Sequence, residues 1–78
     1  MPCQVGITTD PDRRKKEWES LTVGLKNWSV LRWYNTKSAA QAAETRAANS
    51  SGCNHGVGGG GSENARWAVY KFDYTRRR

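Results

Sequence analysis

The chain is poor in acidic, sulfur-containing and large aliphatic residues. Only 7 of its 78 residues are Asp or Glu, with one Met, two Cys, two Pro, one His and one Phe. The hydrophobic fraction is 36% and the mean hydropathy −0.89. No apolar run approaches the roughly 18 residues that a membrane-spanning helix requires. No basic segment followed by an apolar stretch opens the chain, so a secretory leader is not expected. Two cysteines allow one disulfide, Cys3–Cys53, but without a leader the expectation is a cytoplasmic chain with free thiols. A zinc site built from Cys3, Cys53 and His55 lacks a fourth ligand and the paired spacing of closed sites.

What is present is charge and aromatic surface. Thirteen Lys and Arg give a formal charge of +6, and four Trp and three Tyr accompany them. Such an excess calls for an anionic partner or serves only solubility. The aromatic residues favour nucleic acid, DNA or RNA, because their faces stack on bases. The length permits one domain, spanning 1–78, with a thin core.

The spacing predicts an α+β fold in the order β-α-β-α-β, with a small three-stranded sheet packed against two helices. Cys3, Val5 and Ile7 alternate along a first strand. Asp10-Pro11 caps a helix running to about Leu21, with Arg14, Trp18, Leu21 and Leu25 on one face. Trp18 and Leu21 are expected to anchor it. Trp28–Tyr34 reads as a second strand. Thr36 or Ser38 opens an alanine-rich helix ending near Asn49. Residues 52–62 hold six glycines and read as a mobile loop. Arg66–Thr75 alternates as a third strand, with Ala68, Tyr70, Phe72 and Tyr74 on one face. Residues 76–78 form a basic tail expected to fray.

Glu44 is the informative acid. Its helical neighbours Ala40, Ala47 and Ala48 form a small-residue stripe that packs inward. A carboxylate there needs a cation such as Arg14, or a divalent metal. The plain reading is an exposed Glu on an amphipathic helix.

The run Val5-Gly6-Ile7-Thr8-Thr9-Asp10-Pro11-Asp12-Arg13-Arg14 resembles the second strand and first helix of the GIY-YIG nuclease superfamily, in which an Arg follows the Gly by eight residues. Ala40-Gln41-Ala42-Ala43-Glu44 is similar to the family's A-x-x-x-E helix. Gly52-Cys53-Asn54 is similar to its Gly/Asn turn. The similarity covers about Val5 to Gly61. It implies nucleic-acid binding and metal-assisted phosphodiester hydrolysis. Arg14 would then hold phosphate, Glu44 would ligate Mg2+, and Asn54 would order a loop. Arg13, Arg14, Lys15 and Lys16 would supply phosphate contacts. Two departures stand against a complete site. Gln4 occupies the position of the family's YIG tyrosine and cannot serve as a base, and no strand with a GIY motif precedes it. The C-terminal strand takes the missing strand's place and brings Tyr70 to Arg14 and Glu44, or Tyr70 is an ordinary core aromatic. An endonuclease, an inactive binding module and a small protein-interaction domain therefore stand as the three readings. His55 is a base by type but has no evident partner in its glycine-rich setting.

Overall fold

A computed structural model describes residues 2–55 and 64–78. It is an α+β fold of two helices and two sheets. The elements are β1 (Cys3–Thr8), α1 (Pro11–Leu21), β2 (Thr22–Val23), β3 (Lys26–Tyr34), α2 (Lys37–Ser51), β4 (Asn54–His55), β5 (Trp67–Asp73) and β6 (Arg76–Arg77). Both helices start on a side-chain cap. The Asp10 carboxylate accepts from the Arg13 amide at 3.2 Å, and the Thr36 hydroxyl accepts from the Ala39 amide at 3.2 Å. These caps satisfy amides that the helix itself leaves unpaired. Gly52, at φ 67°, ends α2 in the left-handed region that glycine enters without steric cost.

The main sheet has four strands in the order β3-β5-β1-β4, not three. β5 runs antiparallel to both neighbours, and β4 runs parallel to β1. The C-terminal strand is therefore central. A second sheet pairs β2 with β6. The additional strands escape sequence patterning because two residues carry no period. Arg76–Arg77 is accordingly not a frayed end. Its backbone pairs with Thr22–Val23, and the Thr75 and Arg78 amides donate to Val23 and Leu21 carbonyls at 2.8 and 2.9 Å. Of the glycine-rich stretch, Asn54–His55 belongs to the main sheet, and 56–62 lies outside the described residues.

Each face of the sheet has its own core. On one side Val5, Ile7, Trp67 and Val69 pack against Ala40, Ala43 and Ala48 of α2. Alanine's small side chain lets that helix approach closely. On the other side Tyr70, Phe72 and Tyr74 pack against Trp18, Leu25 and Trp28. Trp18 does anchor α1, whereas Leu21 is 54% exposed and anchors nothing. No residue of α1 is fully buried.

Cys3 and Cys53 form a disulfide, with their Cα atoms 4.8 Å apart. This corrects the free-thiol expectation and removes both sulfurs from any zinc set. The cause is register: Gln4 pairs with Asn54 across β1 and β4, so the two cysteines immediately precede paired residues on parallel strands. The free-thiol expectation followed from the cytoplasmic one, and disulfides are uncommon in a reducing compartment. Among the described residues, no helix is long and apolar enough to cross a membrane.

Candidate functional site

Residues paired across antiparallel strands share a face, so register places the aromatic side of the sheet in rows. Thr8, Ala68 and Trp33 form one row, and Gly6, Tyr70 and Val30 the next. Tyr70 is thus directly opposite the glycine of the β1 motif. Its ring and hydroxyl occupy the space that a Cβ at Gly6 would need. Trp28 stacks on the Tyr70 ring at 4.7 Å and 18°. The Trp18 indole N–H donates to the Tyr70 hydroxyl at 2.8 Å.

Burial pushes the Tyr70 phenol above its usual range, and the Trp18 hydrogen bond and the Arg14 charge pull it down. Glu44 and Glu17 push it up. The net rise keeps the phenol neutral at physiological pH. The Trp18 N–H occupies one lone pair, which leaves the phenol proton available to donate. Tyr70 is 3% exposed, a packed core aromatic outside the groove, and is unsuited to act as a base.

Arg14 rises from the first turns of α1 and is half-buried, 3.7 Å from Glu17. It lines a groove of about 230 Å³ with Thr8, Thr9, Asp10, Arg13, Glu17 and Trp67. Tyr70 and Glu44 are not among the groove's walls. Lys15 and Lys16 lie on α1 beyond its lining.

Glu44 is buried in α2, 4% exposed, as its alanine neighbours predict. It makes no ion pair with Arg14, whose partner is Glu17. Burial raises its carboxyl from the ordinary 4.5 to about 7. Among the described residues Glu44 has no salt bridge, and no buried side-chain oxygen is left without a hydrogen-bond partner. Mg2+ commonly takes one or two carboxylates and completes its shell with water and substrate phosphate. Among the described residues no group of three His, Cys, Asp or Glu converges, so Glu44 would be the sole anionic protein ligand.

The remaining candidates stand apart. Asn54, exposed on β4, donates from Nδ2 to the Tyr74 hydroxyl at 3.4 Å and braces that strand. His55 is exposed opposite Val5. Gln4 is 1% exposed, and Arg77 donates to its Oε1 at 3.4 Å. The sequence reading missed Trp18 and Trp28 as supports of Tyr70, and no local pattern marks them.

Gly6→Ala tests the seat of Tyr70. The new methyl displaces the ring and breaks the Trp18 bond. The expected cost is about 1–3 kcal/mol, the usual range for overpacking. Urea denaturation measures it, and an unchanged midpoint would show that Tyr70 moves without cost. No protein-family model, curated protein or solved structure matches this chain.

Proposed function

We propose that the chain is a GIY-YIG-like nucleic-acid-binding domain that hydrolyses phosphodiester bonds with Mg2+. One observation carries this reading. β5 lies against β1 and sets Tyr70 opposite Gly6 on the face that α1 covers through Trp18, while α2, which carries Glu44, packs on the other face. The pairing of β5 with β1 supports the reading that β5 stands where the family has its GIY strand.

Arg14 neutralises the charge that builds on the phosphoryl oxygens. Tyr70, held by Trp18 and Trp28, fixes the packing of α1 and so the position of Arg14. Glu44, once ionised, would hold the cation, which would supply Lewis-acid activation of the phosphate and a lowered pKa for coordinated water. Arg13, Lys15 and Lys16 add phosphate contacts that carry no sequence information. Gln4 in place of the motif tyrosine favours a second reading, a binding module without chemistry.

Labelled single- and double-stranded DNA and RNA, incubated with Mg2+ or with EDTA, separate the two. Cleavage is expected with Mg2+, is abolished by EDTA, and falls by about 100-fold or more in Glu44→Ala and Arg14→Ala, the scale of losing charge stabilisation. Cleavage that survives both EDTA and Glu44→Ala is not this protein's. Salt-sensitive binding without cleavage selects the binding module. No salt-dependent binding to any nucleic acid selects a protein-interaction domain.

A further inference from the structure

Building on the nucleic-acid reading above, we infer that Trp33 is a stacking platform for an unpaired base, and that the substrate is a single strand whose backbone continues into the Arg13–Arg14 groove. Trp33 is 41% exposed, whereas Trp67 is 2% exposed and Trp18 and Trp28 are partly buried in the sheet's aromatic core. It shares its row with Thr8, a wall of the groove, and only the methyl group of Ala68 stands between them in that row. Two strand spacings separate Trp33 from Thr8, about 10 Å. The Arg66 guanidinium lies over the Trp33 ring, 5.4 Å from its centre, so a base stacks on that face by displacing Arg66, which is then free to meet a phosphate. Val30, 39% exposed, extends the apolar surface along the same face.

Charge decides what this surface takes. Arg66 beside Trp33 and Arg13 and Arg14 in the groove are its cations, whereas Arg32, paired with Val69, and Lys37, over Trp67, belong to the other face; the chain as a whole carries +6. An anion complements that charge. A second copy of this cationic chain would be repelled from it. β3 is an edge strand, but its ladder is irregular between Lys26 and Ser29 and between Val30 and Arg32, and Asn27 has φ 58°. Bulges and edge cations are devices that discourage edge-to-edge pairing. A duplex hides its base faces, and a single strand presents them. Stacking with phosphate contact reads nothing at the sugar 2′ position, so DNA and RNA strands bind alike.

Fluorescence anisotropy in EDTA reads binding without cleavage. The probes are fluorescein-labelled oligothymidylate and oligouridylate of about 12 nucleotides and a duplex of the same length, a size within the usual range of single-strand sites. Trp33→Ala should weaken both single strands about tenfold or more while leaving the salt slope and the duplex affinity unchanged. Trp33→Phe should recover part of the loss. Arg66→Ala should lower the salt slope by about one unit. Far-UV circular dichroism checks the fold of each variant. Single-strand affinity that is equal in wild type and Trp33→Ala overturns the platform and leaves the nucleic-acid reading standing. Equal loss for the duplex also overturns it. A concentration-dependent dimer that Trp33→Ala abolishes, with oligonucleotide affinity unaltered, assigns the surface to a second copy instead. Wild-type protein that binds no probe at low salt overturns the nucleic-acid reading itself. Trp33-dependent binding without cleavage under Mg2+ removes only the chemistry.

Discussion

Replacing Cys3 and Cys53 by serine, or reducing their disulfide, is expected to lower the unfolding free energy by about 4 kcal/mol. The bond joins residues 50 apart in the sequence. Opening it returns a long closed loop to the unfolded ensemble, and loop-closure entropy for that length gives about 4 kcal/mol. A chain of this size has about 4–12 kcal/mol in all, so the loss is a third or more of its stability. The effect should be uneven. β4 is two exposed residues with two register pairs to β1, and these are too few to hold it there. Without the covalent tie Asn54 leaves Tyr74, and the edge of β1 beside Gln4 opens to water. Urea denaturation with and without reductant gives the global value. Hydrogen exchange should show the β1 amides facing β4 losing protection before those facing β5. Equal midpoints in the oxidised and reduced protein would sink this account.

That bond also shows what the sequence could reveal and what it could not. The alternation of Cys3–Thr8 and Trp67–Asp73, the Asp10-Pro11 start and the Thr36 cap are local signals, and each marks its element closely. The position of β5 between β1 and β3 is a long-range fact. No local pattern carries it, because pairing partners about 60 residues apart leave no period in the sequence. Pairing of Cys3 with Cys53 required knowing the register of a two-residue strand within a glycine-rich stretch, and no periodicity reports that. The same limit hid β2 and β6, whose backbone bonds are indifferent to the side chains of Thr22, Val23, Arg76 and Arg77. Leu21 was misplaced because α1 is attached chiefly through Trp18, and helical spacing describes a stripe without saying how much of it is used. Burial of Glu44 was legible from its alanines. Its lack of an Arg14 partner was not, because the nearer Glu17 is one helical turn from Arg14 on the same face.

Glu44→Gln should move stability and activity in opposite directions. Burial raises the Glu44 carboxyl from 4.5 to about 7. Between those values the folded chain keeps a proton that the unfolded chain releases, so stability falls as pH rises through this window. The full loss is about 3 kcal/mol, complete above pH 7 and absent below about pH 4.5. Glutamine keeps the shape and never ionises. The variant should therefore match wild type near pH 4 and exceed it by up to about 3 kcal/mol near pH 8. Urea denaturation at the two pH values measures the difference. Mg2+ should recover part of the deficit in wild type at the higher pH, about 1.4 kcal/mol at a tenfold excess over its dissociation constant, and nothing in the variant. Cleavage with Mg2+ should be lost in the variant throughout. In wild type at low Mg2+ it should rise about tenfold per pH unit below 7, because the proton and the cation compete for one carboxylate. A Glu44 retained only for packing would give the stability gain without the Mg2+ response. A Glu44 held by a cationic side chain would give a loss of stability near pH 8 instead. Burial alone accounts for the raised carboxyl, and the paired measurements with and without Mg2+ decide whether a cation also uses it.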